Sequence, residues 1–333
     1  MPGRQGGNRV TLREVADHAQ VSVATASRVL AGNYPVAAET RHRVEQSIQA
    51  LDYVANVHAR ALAGVAPRTV AFVLPDIRAQ AFAHAAQGVE EAAAEHGALC
   101  LICTTQGDPE REHAVFQMLR EQRASAVILI GGVVDDAEYR ANITDLSRGL
   151  ATADSRLVLC GRPPAGDIPA IEYANESGAY SITQHLISSG HRRILFLGGP
   201  SSGPATTTVA DRLAGYRRAL GHPGWVQPAD FTRESGYQQL CTRLPEDFTA
   251  VFAATDLVAA GARAALHAHG LRVPEDVSLV GYDDLELAED LGLTTVRVPY
   301  EDLGRAAVRL ALSGREHSVL ETSVVVRTSV APL

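Results

Sequence analysis

The sequence predicts an α/β protein in which a small all-helical head precedes two doubly wound parallel-sheet lobes. Three observations predict it. The first fifty or so residues carry helix caps and helical apolar spacing, the residues after 68 alternate short apolar runs with helix-length segments, and that alternation restarts near its middle. A chain of 333 residues is long enough for a large two-lobed body with a small appendage.

In the head, Thr11 is placed to cap a helix over 12–19, Ser22 a second over 23–30, and a third runs over 38–51 with apolar spacing at Val44, Ile48 and Leu51. Gly32, Asn33, Tyr34 and Pro35 break the chain between the last two. Ala16 is small where two crossing helices touch, and Val15, Val21, Ala26 and Val29 can share one core. The second helix then exposes Val23, Ala24, Ser27 and Arg28, the face that meets base edges in a helix-turn-helix. Arg28 can donate a bidentate pair to guanine, and Val23 with Ala24 can pack on thymine methyls. An Ala-rich helical pair with no such role has the same pattern.

The body reads as strands at 70–74, 99–103, 126–130, 157–160, 194–197, 250–253 and 277–280, each apolar on both faces as a helix-covered parallel strand must be. Residues 170–175 restart the series, which suggests two lobes facing each other across a cleft. The late segments 294–298 and 323–328 are expected to cross between the lobes as a hinge. Ligand-facing groups in such lobes come from loops after the strands. Asp256 and Asp283 fall there, with Arg212 early in the helix after the Gly198 loop. An Arg and an Asp facing one cavity suit a polyol or a nucleobase.

Composition excludes several chemistries. The net charge is −8, yet residues 1–65 carry seven Arg against five acids and the remainder 23 Arg against 33, so only the head is suited to approach phosphates. All thirty basic residues are Arg, which removes any phosphate-loop, kinase-type or Schiff-base Lys. No apolar run approaches eighteen residues and residues 1–9 hold no apolar h-region, so neither a membrane span nor a signal peptide is expected and the cytoplasm is the default. Cys100 and Cys103 have C-x-x-C spacing but sit in a strand that points them to opposite faces, which predicts buried packing and neither a metal nor a cofactor.

A competing enzyme reading rests on Gly199-Pro-Ser-Ser-Gly203, which satisfies G-x-S-x-G with Ser201 as nucleophile and Asp283 and His317 following in hydrolase order. Against it, Pro204 and three Thr lengthen a loop that should turn sharply. A third reading is a ligand sensor that never touches DNA.

The stretch from Val10 through Leu30 resembles the N-terminal signature of the LacI/GalR family, as do Glu39-Thr-Arg41 and residues 53–62. The resemblance continues through Asn175-Glu-Ser-Gly-Ala-Tyr180, Gly190-His-Arg-Arg-Ile194, Arg212-Leu-Ala-Gly-Tyr216 and Gly270 to Asp284. It implies lobes of the periplasmic-binding-protein-like type I fold and a head, hinge and body over 1–54, 55–67 and 68–333. The N-lobe would take about 68–172 and 300–323, the C-lobe about 173–299 and 324–333. It further implies DNA contacts by Thr11, Ser22, Thr25, Thr40 and Tyr53, and a hinge helix in which Asn56, Ala59 and Arg60 match while Leu62 wedges into the minor groove. Phe82, Arg162, Thr208, Phe231 and Tyr300, with Thr255 beside Asp256, would complete the effector cleft.

The departures from the family are Gln20 at a turn usually held by Gly, Ala26 for Val, Ala55 for Pro, Thr255 for Asn, Val298 for Gln and the stretch Ala79-Gln-Ala-Phe82. A left-handed Gln20 would cost on the order of 1 kcal/mol. The chain stops soon after its last strand without a heptad tail, which predicts a homodimer on a pseudo-palindromic operator. The expected effector is a sugar, a polyol or a related metabolite, and it acts by binding two lobe arrangements unequally.

Overall fold

The computed structural model describes residues 10–31, 34–53, 68–200, 202–244, 247–314 and 317–333, in two compact units divided between Arg68 and Thr69. The expected hinge residues Asn56, Ala59, Arg60 and Leu62, and Ser201, lie outside the described residues.

The head holds α1 (Leu12–His18), α2 (Val23–Ala31) and α3 (Ala38–Ala50). Thr11 accepts the Glu14 N–H while the Glu14 carboxylate takes the Thr11 N–H at 2.6 Å, a reciprocal cap that satisfies two otherwise unpaired donors. The Ser22 hydroxyl accepts the Thr25 N–H at 3.1 Å and so caps α2. Val15, Ala16, Ala19, Ala26, Val29 and Val44 form the buried core, with Val21 packed against it. Between α1 and α2, Gln20 has φ of 54°, the left-handed conformation in which a side chain is strained.

The body begins with β1 (Thr69–Leu74), α4 (Gln80–Glu95), β2 (Leu99–Thr104), α5 (Pro109–Glu121), β3 (Ala126–Ile130), α6 (Ala137–Ala151), β4 (Arg156–Cys160) and β5 (Ala170–Tyr173). It crosses into α7 (Asn175–Ser188), β6 (Ile194–Leu197), α8 (Thr207–Leu220), β7 (Trp225–Gln227), α9 (Arg233–Cys241), β8 (Ala250–Ala253), α10 (Asp256–Ala268), β9 (Ser278–Val280), α11 (Glu286–Asp290) and β10 (Thr295–Arg297). It returns through α12 (Tyr300–Ser313) and β11 (Ser318–Leu320), and crosses a last time into β12 (Ser323–Val325). The first sheet has the order β11-β5-β4-β3-β1-β2 and the second β7-β6-β8-β9, and every pairing in both is parallel. β10 and β12 pair antiparallel, with Val296 opposite Val324, at the place where the late segments were expected to cross.

Alternation explains why the strands are apolar throughout. Val70, Phe72 and Leu74 enter one core while Ala71 and Val73 enter another on the opposite face. Likewise Ile194 and Phe196 face one core, Leu195 and Leu197 a second. At about 25 cal/mol per Å² of apolar area, burial on both faces of these sheets is the main source of stability.

Two expectations need correction. Residues 170–173 do not restart the series; they pair with β4 and β11 and are a further strand of the first sheet. The run 99–103 is not buried on both faces, because β2 is an edge strand and leaves Leu99 59% and Ile102 44% exposed. Cys100 and Cys103 do pack toward opposite cores, but each is only partly buried.

The helices α4 and α12 approach so closely that a Cβ at Gly88 would overlap the Glu301 carbonyl, and one at Gly304 the Ala85 carbonyl. Two glycines, over two hundred residues apart in the chain, therefore set the spacing of the helix pair that carries Phe82 and Tyr300.

Candidate functional site

Arg212 stands at the centre of the body's polar cluster. It lies in the second turn of α8 and is 1% exposed, and its donors reach the start of α7 and the loops after β8 and β9. Nε donates to Asn175 Oδ1 at 3.0 Å, Nη1 to the Ala254 carbonyl at 2.5 Å and Nη2 to Asp283 Oδ1 at 3.0 Å. Its guanidinium lies 3.8 Å from the Tyr282 ring centroid and 5.9 Å from that of Phe231. Burial alone would push Arg212 down, but Asp283 and the surrounding tyrosines outweigh it and hold the group above its usual value.

Asp283 is 5% exposed, and its Oδ1 also accepts the Tyr300 hydroxyl at 2.8 Å. Burial pushes its carboxyl up and Arg212 opposes that shift. Its φ of 119° and that of Asp284, 59°, are both positive, a backbone conformation that persists only where the surroundings hold it. The crossing strand supplies that hold, since Asp283 N–H donates to the Val296 carbonyl at 2.8 Å and Val298 N–H returns a bond to the Asp283 carbonyl. The one carboxylate that ties Arg212 to Tyr300 is thus attached directly to the hinge. A cavity of about 250 Å³ opens beside it, lined by Asp283, Asp284, Tyr300 and His84 among others.

Asp256 has a different placement. It is fully buried, with Oδ1 accepting the Thr295 hydroxyl at 2.6 Å and Oδ2 the Leu285 N–H at 2.9 Å. Burial, with Asp283 nearby, pushes its carboxyl up to about 8. Thr255 is buried too, and its hydroxyl caps α10 through the Val258 N–H. Asp256 braces the loop that carries Asp283, and the side-chain oxygens of both residues are bonded internally.

On the opposite lobe, Arg162 follows β4 and is 4% exposed. Nη2 donates to the Ile130 carbonyl at 3.2 Å, Glu112 stands 4.0 Å away, and among the described residues Nε has no hydrogen-bond partner. Thr208 is buried at the start of α8, Phe82 is half-buried against Gly131, and Phe231 is exposed. The structure therefore brings Arg212, Asp283 and Tyr300 into one bonded cluster with Phe231 near it. It keeps Arg162 apart on the other lobe. Sequence reasoning missed Asn175 and Tyr282, which complete the cluster, and Thr295, which bonds Asp256; their only signal is position, next to a strand end or a crossing.

In the head, Val23, Ala24 and Arg28 are exposed on α2, and Ser27 is half-buried. The Arg28 guanidinium lies 5.8 Å from the Tyr34 ring centroid. Thr11, Ser22 and Thr25 spend their hydroxyls on local caps, Ser22 and Thr25 bonding each other at 2.9 Å. Thr40 is half-buried on α3, and Tyr53 packs against the head core.

The geometry does not assemble a hydrolase. Asp283 is bonded to Arg212 and Tyr300, while the ring of His317 faces the Ala170 carbonyl at 3.1 Å and Glu172 at 3.3 Å. Among the described residues no cluster could hold a metal ion, and no helix is long and apolar enough to cross a membrane.

A profile of bacterial regulatory proteins, lacI family, matches residues 11–56, and one of a periplasmic binding protein-like domain matches residues 183–330. The chain is 31% identical to the HTH-type transcriptional regulator DegA of Bacillus subtilis, over 98% of its own length and 99% of that protein's. It is 32% identical to the ribose operon repressor of Halalkalibacterium halodurans, over 94% and 92%. A crystal structure of the lac repressor dimer bound to operator and the anti-inducer ONPF is similar with a TM-score of 0.86 and 27% identity, covering 97% of this chain and 100% of that one.

Proposed function

This chain belongs to the lacI family of bacterial regulatory proteins and is a DNA-binding transcriptional regulator rather than an enzyme; from that premise we propose a cytoplasmic homodimeric repressor controlled by a sugar or related polyol. The effector binds between the lobes and shifts the balance between two lobe arrangements, one that suits operator binding and one that does not. The single observation that carries this reading is the buried Arg212–Asp283–Tyr300 cluster. It offers a planar donor and a carboxylate at the cleft floor, held by a strand that crosses between lobes. Arg162, Thr208, Phe82 and Phe231 line the remaining walls, and Asp256 and Thr255 brace the floor.

In the head, Val23, Ala24, Ser27 and Arg28 read bases, while Thr11, Ser22, Thr25, Thr40 and Tyr53 touch the sugar-phosphate backbone, where capped helix starts favour anions. We assign residues 1–54 to this head and 68–333 to the effector-binding body; the hinge expected over 55–67, with Asn56, Ala59, Arg60 and Leu62, lies outside the described residues. A homodimer places two heads on the half-sites of a pseudo-palindrome. The exposed Leu99 and Ile102 on the edge strand, with Met118 on α5, supply apolar surface for a second copy.

Selection of duplexes from a random pool, followed by fluorescence anisotropy with and without sugars, tests the reading. Asp283→Asn is expected to retain operator affinity and lose the effector response. A normal response in that variant moves the effector site elsewhere, and no preference for any duplex removes the head's role.

A further inference from the structure

Away from the Arg212 cluster, the two lobes touch at two places built on different chemistry. At the first, the Thr207 N–H donates to the Val133 carbonyl at 2.7 Å, and a Cβ on the neighbouring Gly132 would stand 2.5 Å from Thr208 Oγ1. That contact is made of peptide groups and hydroxyls, whose charge does not change with pH. The second contact is made by charge. α4 packs on the first sheet and on α12, whereas α11 is seated in the second lobe's core by Ala288. Between them, Gln80 Nε2 donates to Glu286 Oε2 at 3.3 Å, and His84 Nε2 stands 3.2 Å from Glu286 Oε1.

The other ring nitrogen of His84 also faces a carboxylate, since Nδ1 lies 3.7 Å from Glu301 Oε1 on α12. A neutral imidazole has one N–H and one lone pair, and in this setting the lone pair would be turned on a carboxylate oxygen. The imidazolium presents a donor to both. The arginines lining the neighbouring cavity are committed elsewhere. Arg297 holds Asp284 at 2.7 Å, and Arg305 holds Glu91 at 2.6 Å, with Asp302 and Glu301 at 3.3 and 3.4 Å. Asp283, the remaining acid of the cavity wall, is paired with Arg212. The Glu286 backbone N–H, and after it His84, holds the Glu286 carboxyl below the usual carboxylate range, so it stays ionised where histidines change charge.

We infer that His84 and Glu286 form a proton-dependent latch between the lobes, in which the charged imidazole holds α11 to α4 and loss of its proton loosens that junction. The latch needs no small molecule, so it goes beyond the effector reading and does not depend on it. Its strength is greatest at low pH and falls as the ring deprotonates; the Gln80 bond remains, so the junction weakens without being abolished. Glu286 follows Asp283 by three residues, and the latch therefore also bears on the loop that carries that carboxylate.

Hydrogen–deuterium exchange of the full chain at about pH 6 and about pH 8, corrected for the intrinsic pH dependence of exchange, tests it. Peptides covering 285–293 are expected to lose about two- to fivefold in protection at the higher pH, the scale of a partly exposed ion pair, while β3 and β8 keep theirs. His84→Gln retains a polar side chain without the titratable charge and is expected to show the same protection at both pH values, as is Glu286→Gln. Glu301→Gln is expected to keep part of the difference, because the bridge to the second lobe is intact.

A pH difference that persists in His84→Gln overturns the latch, as does its absence from the unsubstituted protein. An equal loss in β3 and β8 would mean opening of the whole body and overturns it too. If Glu301→Gln removes the difference and Glu286→Gln does not, the charge contact lies within the first lobe and no latch joins the two.

Discussion

The head and the body offer polar groups to their ligands under opposite conditions. In the head, Thr11 bonds Glu14 and Ser22 bonds Thr25, partners three residues apart on an exposed surface. In the body, Arg212 bonds partners 37, 42 and 71 residues away, and all of that cluster is buried. A local, solvated group can be changed with little effect beyond its own contact. A buried charge held by distant partners cannot, because removing one member leaves another unpaired in a medium that solvates it poorly.

Substitutions sharpen that contrast. Arg212→Met leaves Asp283 buried without its counter-charge and is expected to destabilise the body by about 3–5 kcal/mol, read from urea unfolding of the full chain. A loss below about 1 kcal/mol would mean that the pair behaves like a surface contact. Tyr300→Phe removes one bond to a charged acceptor and is expected to weaken effector binding by about 1.5–3 kcal/mol, measured by titration, with operator affinity retained. Arg28→Ala is expected to cost about 1–3 kcal/mol of specific binding and to relax the choice at one base pair. Equal weakening on every duplex would make Arg28 a phosphate contact instead. At the small end, Gln20→Gly relieves a left-handed side chain and should stabilise the head by about 1 kcal/mol, seen as a higher midpoint for its thermal transition.

The same contrast governs what could be read before the structure. The head's caps were legible because Thr11 with Glu14 and Ser22 with Thr25 lie within one helical turn. The strands were legible because both faces are apolar, and that pattern needs no partner to be recognised. Edge position is another matter: nothing in Leu-Cys-Leu-Ile-Cys distinguishes β2 from the buried β3, since exposure depends on sheet order. The placement of 170–173 in the first sheet likewise depends on β4 and β11. Asp283 and Arg212 were found as strand-end and helix-start residues, whereas the bonds that bury Asp256 reach Thr295 and Leu285, 39 and 29 positions on. Left-handed Gln20 was anticipated from a missing glycine; the close approach of Gly132 to Thr208 was not, because it exists only between lobes.

The triple crossing between lobes has a consequence for synthesis. The first sheet lacks its outer strand until residues 318–320 pair with β5, and its α4 face stays uncovered until α12 arrives, with Arg305 reaching Glu91 across 214 positions. At about 5–20 residues per second, the ribosome holds that half-built sheet for tens of seconds, with apolar faces open to other nascent chains. The head, whose core closes within residues 10–53, has no such wait. Loss of the last few dozen residues would therefore damage the lobe made first.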